Sequence, residues 1–195
     1  MRVQLLLAHP LADSYAAALA ARARSALERA GHELRSVDLY RDDYDPRLTA
    51  AERASYFGTY DSSAVSSYAG NLRWAEGNVF VFPQWWFNVP AILKGYFDRV
   101  WVPGVACDHD LARGRLVPRL THVRKILAIT TFGAPWWVVE FYLRNPVRAQ
   151  LKKGLVAGCA PQARFRMLAH YDMDRSTPAT RERFLARVDS ELEGF

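Results

Sequence analysis

The side chains best suited to binding a flat ring system form the run Trp85-Trp86-Phe87, which lies between Pro83 and Pro90. The residues before it, 79–82, are continuously apolar, as in a parallel strand covered on both faces, and we expect Pro83 to end that strand. From Pro90 onward apolar residues recur with a helical period, and Pro90 suits the first turn of that helix. The aromatic run therefore lies in a loop at the carboxyl end of a central strand, where open α/β sheets bind ligands.

A second group that could bind a ligand follows the first apolar run, where His9 and Ser14 precede a helix predicted from Tyr15 to Ala30. Either Asp13 or Ser14 would serve as the N-cap, and capping alone would account for Ser14. The alternative is that the first backbone N–H groups of the helix, at Ser14, Tyr15 and Ala16, hold a phosphate together with the Ser14 hydroxyl.

A third group lies beyond the apolar strand predicted at 125–129, in the segment Thr130-Thr131-Phe132-Gly133 and the nearby Trp136. Three of the predicted strands are thus each followed by a group of polar, glycine or aromatic residues. The chain has neither the glycines of a dinucleotide fingerprint nor those of a Walker loop, and it has no Gly-x-Ser-x-Gly elbow, which disfavours an α/β hydrolase.

Composition narrows the possible functions further. A length of 195 residues, with 50% hydrophobic and 24% charged residues, predicts one domain, residues 1–195. The first apolar run, 3–8, is too short for a signal peptide or a membrane span, so we expect no integral membrane segment and a cytoplasmic location. The 22 Arg and 4 Lys exceed the 20 acidic residues by six, which gives a net charge of +6, and their scatter along the chain disfavours nucleic acid binding. Cys107 and Cys159 lie too far apart for a zinc motif, so we predict reduced cysteines and no metal site.

Strand and helix patterns alternate along the chain. The strands are predicted at 3–8, 33–39, 79–82, 125–129 and 164–168, and the segment 103–120 is predicted to be irregular. Helices are predicted at 15–30, 48–57, 64–76, after 90, and at 138–143, 147–157 and 178–192. Right-handed crossovers between parallel strands then imply an α/β, flavodoxin-like three-layer sandwich whose five-stranded parallel sheet has the order 2-1-3-4-5.

At these residues the chain resembles the flavodoxin-like NAD(P)H:quinone oxidoreductases, the family of DT-diaphorase, the drug-activity modulator proteins and the ancillary flavoproteins of potassium efflux systems. The most specific match is the run from Phe82 to Val100. The weaker matches are His9-Pro10 with Ser14-Tyr15, the turn Asp38-Leu39-Tyr40 with Asp45-Pro46, and Thr130-Thr131 with Gly133.

The resemblance implies a homodimer that binds FAD or FMN and transfers two electrons, by a ping-pong hydride mechanism, from NAD(P)H to a small quinone-like acceptor. It assigns no certain catalytic residue, because the hydride chemistry belongs to the cofactor. The implied cofactor-binding residues are His9, Ser14, Tyr15, Ala16, Pro83, Gln84, Trp85, Trp86, Phe87, Thr130, Thr131, Phe132 and Gly133. Trp86, Phe87 and Trp136 would line the slot shared by the nicotinamide and the acceptor.

Two departures from the family pattern leave alternatives open. Ala16 replaces a common Asn, and Phe132 replaces a Gly, so that a bulky ring is expected where the backbone usually approaches the flavin. One alternative is therefore a binding protein that has lost its cofactor. Another is a flavin-binding electron-transfer or regulatory subunit that acts on a protein partner. NADH and NADPH also stay open as donors, because Arg113, Arg115 and Arg119 would either meet a 2′-phosphate or face water.

Overall fold

A five-stranded parallel sheet forms the centre of the computed structural model, which describes all 195 residues. Its strands follow one another across the sheet in the order β2-β1-β3-β6-β7. Their bounds are β1 Arg2–Leu7, β2 Glu33–Asp38, β3 Gly77–Gln84, β6 Lys125–Phe132 and β7 Arg164–His170. All four pairings are parallel, so the carboxyl ends of the strands lie along one edge.

Helices connect the strands. They are α1 Tyr15–Arg29, α2 Ala50–Ser55, α3 Ser66–Trp74, α4 Ala91–Val100, α5 Pro146–Ala149, α6 Ala157–Cys159 and α7 Pro178–Glu193. Short 3-10 turns occupy Ser63–Val65 and Met173–Arg175, and wider π-helical turns occupy Val138–Tyr142 and Gln150–Val156. Thr49 and Thr177 cap α2 and α7, each with its side chain accepting a backbone N–H.

The predicted strand order was 2-1-3-4-5, whereas the structure has the order 2-1-3-6-7, because two additional strands come before the fourth strand of the main sheet. An antiparallel hairpin, β4 Cys107–Asp110 with β5 Arg115–Pro118, lies between the third and fourth strands of the main sheet. It occupies the segment that was expected to be irregular. Gly114, at a φ of +59°, supplies the left-handed residue in the turn of this hairpin.

Two strands extend further than the sequence pattern indicates. β3 continues through Pro83, which lies opposite Thr131 of β6, so the prediction that Pro83 ends the strand is wrong. The carbonyl of Val81 accepts the N–H of Ala8 on the β1 side, and backbone groups alternate along a strand. Pro83 therefore also faces the β1 side, beyond the end of β1, where its missing N–H leaves no neighbour unpaired. Likewise, β6 includes Thr130, Thr131 and Phe132, which were predicted to lie in a loop.

Alternating side chains of β3 divide the core into two layers. Phe80 and Phe82 pack with α3 and α4 on one face, whereas Val79 and Val81 pack with α1 and α7 on the other. Cys107 and Cys159 are buried and free. None of the helices has both the length and the apolar character that crossing a lipid bilayer requires.

Candidate functional site

The loops after β3 and β6 enclose a cavity of about 550 Å³ at the carboxyl edge of the sheet. A third segment, which follows β7, completes its wall. The lining residues are Pro83, Gln84, Trp85, Trp86, Phe87, Thr131, Phe132, Gly133, Ala134, Met173 and Asp174. Two of the three predicted groups are therefore brought together around one cavity.

The aromatic loop is a tight turn in a strained conformation. Trp85 and Asn88 exchange backbone hydrogen bonds of 3.2 and 3.1 Å, and the two residues between them have positive φ angles, 51° at Trp86 and 57° at Phe87. Two successive left-handed residues normally call for Asn and Gly, and bulky residues there are outliers. The turn leaves the Trp86 side chain 95% exposed. Strain of this kind is concentrated at ligand-binding segments.

Gln84, at the end of β3, is buried next to this turn. Both its amide oxygen and its amide nitrogen lack a hydrogen-bond partner, and so does the hydroxyl of the neighbouring-strand residue Thr130. An unsatisfied buried amide costs about 1–3 kcal/mol. Gln84 lines the cavity, so this unpartnered amide lies in or directly behind the cavity wall.

The loop after β1 lies beside the aromatic turn, since the ring of His9 is 5.9 Å from the ring of Trp85. Ser14 is the N-cap of α1, and its hydroxyl oxygen accepts the N–H of Ala17 at 3.1 Å. The hydroxyl proton stays available for donation. The Ser14 N–H is used by the carbonyl of Leu11, at 3.3 Å, so its predicted phosphate contact is not supported. The N–H groups of Tyr15 and Ala16 have no acceptor within the helix.

The bulky ring of Phe132 is accommodated in a small core at the end of β6. It is buried against Val139 and Ala169, and its ring stacks on that of Tyr171. Phe132 is nevertheless one of the residues that line the cavity, and the backbone at the next residue is crowded, because a Cβ at Gly133 would lie 2.9 Å from the Asp174 carboxylate. The physical reason is the strand: β6 extends to Phe132, and the alternation of side chains sends this ring to the face occupied by Val139.

Sequence reasoning missed the segment after β7, where Met173 and Asp174 line the cavity. The N–H of Asp172 donates to the carbonyl of Ala134 at 3.0 Å, which holds this segment against the loop after β6. The available signal was the group of charged residues Asp172, Asp174 and Arg175 shortly after the strand predicted at 164–168.

Trp136, which was predicted to line the same slot, is one of the residues around a neighbouring cavity. The polar network beyond Trp136 is structural. Glu140 accepts hydrogen bonds from Tyr171, Asn145 and Arg148, of 2.6, 2.7 and 3.1 Å. Burial, followed by the bond to Glu140, raises the pKa of Tyr171 far above its usual value.

Residues 1–187 match the model of a family described as having a flavodoxin-like fold. A ribosyldihydronicotinamide dehydrogenase-like protein of Penicillium crustosum is 37% identical over 120 residues, which are 53% of this chain and 45% of that protein. The mouse ribosyldihydronicotinamide dehydrogenase [quinone] is 31% identical over 174 residues, 77% of this chain and 70% of that protein. The solved NAD(P)H:quinone oxidoreductase of Methanothermobacter marburgensis has the same fold, with a TM-score of 0.86, 24% identity, and coverage of 100% of this chain and 96% of that one.

The chain spans about half the length of several curated relatives that it matches. The family match nevertheless extends over nearly all of the chain, and the mouse protein is covered over more than two thirds of its length. On these two findings, the chain belongs to the flavodoxin-like family of NAD(P)H:quinone oxidoreductases.

Proposed function

We propose that residues 1–195 act as one flavin-binding domain that oxidises NAD(P)H and reduces a small quinone-like acceptor. The observation that carries this proposal is the buried amide of Gln84, which has no partner and borders an aromatic cavity. A buried polar group without a partner is rare in native proteins, and its best explanation here is a polar ring edge bound against it. The cavity volume, about 550 Å³, lies within the range of small-molecule sites.

The residues present fit a flavin. The hydroxyl of Ser14 and the free N–H groups of Tyr15 and Ala16 would hold its phosphate, assisted by the dipole of α1. Pro83, Trp85 and Phe87 would flank the ring system, and the Gln84 amide would bind its polar edge. Thr131 and Gly133 would supply the backbone on the pyrimidine side. This phosphate site suits FMN and FAD equally, so the proposal names a flavin without choosing between them.

A bound flavin supplies the two-electron hydride chemistry that this family of enzymes uses. The chain's own contribution is positional. The aromatic turn would shield one side of the cavity from water, and the backbone N–H of Gly133, just beyond the end of β6, can donate to developing negative charge. Trp86 and Phe87 would bound the slot in which donor and acceptor bind in turn.

The test is the visible absorption spectrum of the protein after incubation with excess FMN or FAD and desalting, followed by anaerobic addition of NADPH or NADH. The expected result is retained flavin absorbance that bleaches with a nicotinamide donor and recovers on addition of a quinone. A protein that keeps neither flavin would overturn the proposal. Retained flavin that bleaches but turns over poorly with small quinones would instead favour a protein as the electron acceptor.

We further propose that two copies of the chain associate through the aromatic surface beside the cavity. Large apolar side chains are exposed there in an unusual concentration, which marks interaction sites on soluble proteins. They are Trp85, Trp86, Trp136, Trp137, Phe141 and Tyr142. Light scattering is expected to report a dimer, and Trp137→Glu with Phe141→Glu is expected to shift it toward the monomer. A monomeric native protein would contradict this part of the proposal.

A further inference from the structure

The cavity between the loops after β3 and β6 has an acidic lining on an otherwise basic chain, and we propose that it selects flat, cationic acceptors of the quinone-imine type. Asp174 is the only charged residue among those that line this cavity. The chain as a whole has a net charge of +6. The inference rests on the proposed function, because it names the class of acceptor in that reaction.

The Asp174 carboxylate lies close against the backbone of Gly133. A Cβ at Gly133 would be 2.9 Å from one carboxylate oxygen and 3.7 Å from the other, so a side chain at position 133 would displace the carboxylate. Gly133 itself lines the cavity. The missing side chain therefore leaves room for the negative charge at the cavity wall.

The charge of Asp174 is not used within the chain, since its carboxylate forms neither a hydrogen bond nor an ion pair. The neighbouring Arg175 is directed to Asp172, with 3.7 Å between their side chains. Both of these residues line the adjacent cavity, as do Arg183 and Arg187. The Asp174 carboxylate can therefore interact with a ligand in the cavity that it lines.

The arginines that the sequence offered as phosphate contacts do not offset this charge. In the hairpin of β4 and β5, Arg113 and Arg115 both pair with Asp110, at 3.3 and 3.5 Å, and Arg119 pairs with Asp108 at 2.6 Å. None of the three arginines lines the cavity. The hairpin therefore supplies no positive charge that would attract an anionic acceptor to it.

The aromatic side chains of the cavity suit the same class of ligand. Trp85, Trp86 and Phe87 all line it, and Trp86 is 95% exposed on the strained turn. The face of an aromatic ring carries partial negative charge and attracts a cation that lies over it. A flat cation can therefore stack on one of these rings while its charge lies near the Asp174 carboxylate.

The proton balance of the reaction also favours a cation. Reduction of a neutral quinone to a hydroquinone takes up one hydride and one proton, yet the cavity lining contains no histidine, lysine, tyrosine or cysteine to deliver that proton. A cationic acceptor needs only the hydride, because NAD(P)H and the cation become NAD(P)⁺ and a neutral reduced acceptor. The neutral product loses its attraction to Asp174, which favours its release.

The test compares the native protein with Asp174→Asn, both loaded with flavin, by the kcat/KM for three acceptors. The acceptors are methylene blue, which is a cation, a neutral naphthoquinone and an anionic naphthoquinone sulfonate. We expect the substitution to lower kcat/KM for methylene blue by about fivefold and to raise it for the sulfonate by about fivefold, the ratio that an exposed ion pair supplies. The value for the neutral quinone should stay unchanged. Because each acceptor is compared with itself, differences in intrinsic reactivity cancel.

The matched control is Glu33→Gln, which removes the same charge at an exposed position where β2 begins. It is expected to leave all three kcat/KM values unchanged. Asp174 is exposed, so its replacement should not unfold the chain, and a melting curve of each variant checks this. Added salt should reduce the difference between the native protein and Asp174→Asn, because it screens exposed charges.

A second measurement needs no turnover. The indole N–H signals of the tryptophans are followed by NMR during titration with N-methylquinolinium or with quinoline, two flat probes of similar shape of which only the first is charged. The native protein is expected to bind the cation about fivefold more tightly, and Asp174→Asn is expected to lose most of this preference. Equal binding of both probes by the native protein, an undiminished preference in Asp174→Asn, or equal effects of this substitution on all three acceptors would overturn the inference.

Flavin retention, and bleaching by NAD(P)H before any acceptor is added, tests the proposed function separately. A protein that retains flavin and bleaches, but in which Asp174→Asn changes neither kcat/KM nor probe binding, contradicts only the inference. A protein that retains no flavin contradicts the proposed function, and the NMR titration then still tests whether the cavity prefers a cation.

Discussion

The rings of Phe132 and Tyr171 stack face to face, with centroids 5.2 Å apart and planes inclined by 9°. This contact explains how a bulky residue can stand where related proteins are expected to have glycine. The ring is buried in a small core with Val139 and Ala169, where it stabilises the end of β6. The sequence departure that suggested a lost cofactor is therefore compatible with a functional site.

Replacing Phe132 by Ala is expected to lower the free energy of unfolding by about 3–5 kcal/mol, because it opens a cavity in a buried cluster. Urea unfolding followed by circular dichroism measures the change. The control is Leu111→Ala at an exposed site outside the proposed dimer surface, for which we expect a change within about 0.5 kcal/mol. A Phe132→Ala variant as stable as the native protein would contradict the buried stack.

Replacing Gln84 by Leu should have different effects on folding stability and on flavin binding. The flavin-free variant is expected to be as stable as the native protein or up to about 1–3 kcal/mol more stable, because an unsatisfied buried amide is removed. Its affinity for flavin should fall by about tenfold, the equivalent of one lost hydrogen bond. Flavin fluorescence titration and urea unfolding measure the two effects. Gln162→Leu, at an exposed position, is the matched control and should leave flavin affinity unchanged.

The ion pair between Glu52 of α2 and Arg99 of α4 is buried, with both side chains 6% exposed and 2.8 Å between them. Replacing Arg99 by Met is expected to cost about 3–5 kcal/mol of stability, since it leaves a buried carboxylate without its partner. Lys94 and Asp98 form an exposed pair on the same helix, and Lys94→Met should change stability by less than about 1 kcal/mol. Equal effects of the two substitutions in thermal unfolding would show that the Glu52 pair is not buried.

The same pair predicts a pH dependence. Burial opposes ionisation of Glu52, but its hydrogen bonds to Arg99 and to the Thr49 backbone outweigh burial and hold the pKa of Glu52 below its usual value. A lowered folded-state pKa contributes stability above the unfolded value, about 4.3, and that contribution is lost as the pH falls below it. The stability advantage of the native protein over Glu52→Gln should therefore shrink between neutral pH and about pH 3. An advantage that stayed constant over this range would contradict the prediction.

The sequence by itself determined the strand and helix alternation of the main sheet, because short continuous apolar runs indicate buried strands and apolar residues with period 3.6 indicate helices packed on one side. It also limited the cap of α1 to Asp13 or Ser14 and placed the aromatic run at the carboxyl end of β3. Local patterns suffice for these features, since each depends on residues within a few positions along the chain.

Only the tertiary structure decided the rest. Pro83 could extend β3 because β1 ends before it, and Phe132 could be buried because Val139 and Tyr171 come from other elements. The hairpin between β3 and β6, the Asp172 contact with Ala134, and the position of the Asp174 carboxylate against Gly133 likewise depend on pairings between distant segments. Such pairings are set by packing among elements, which no short sequence window contains.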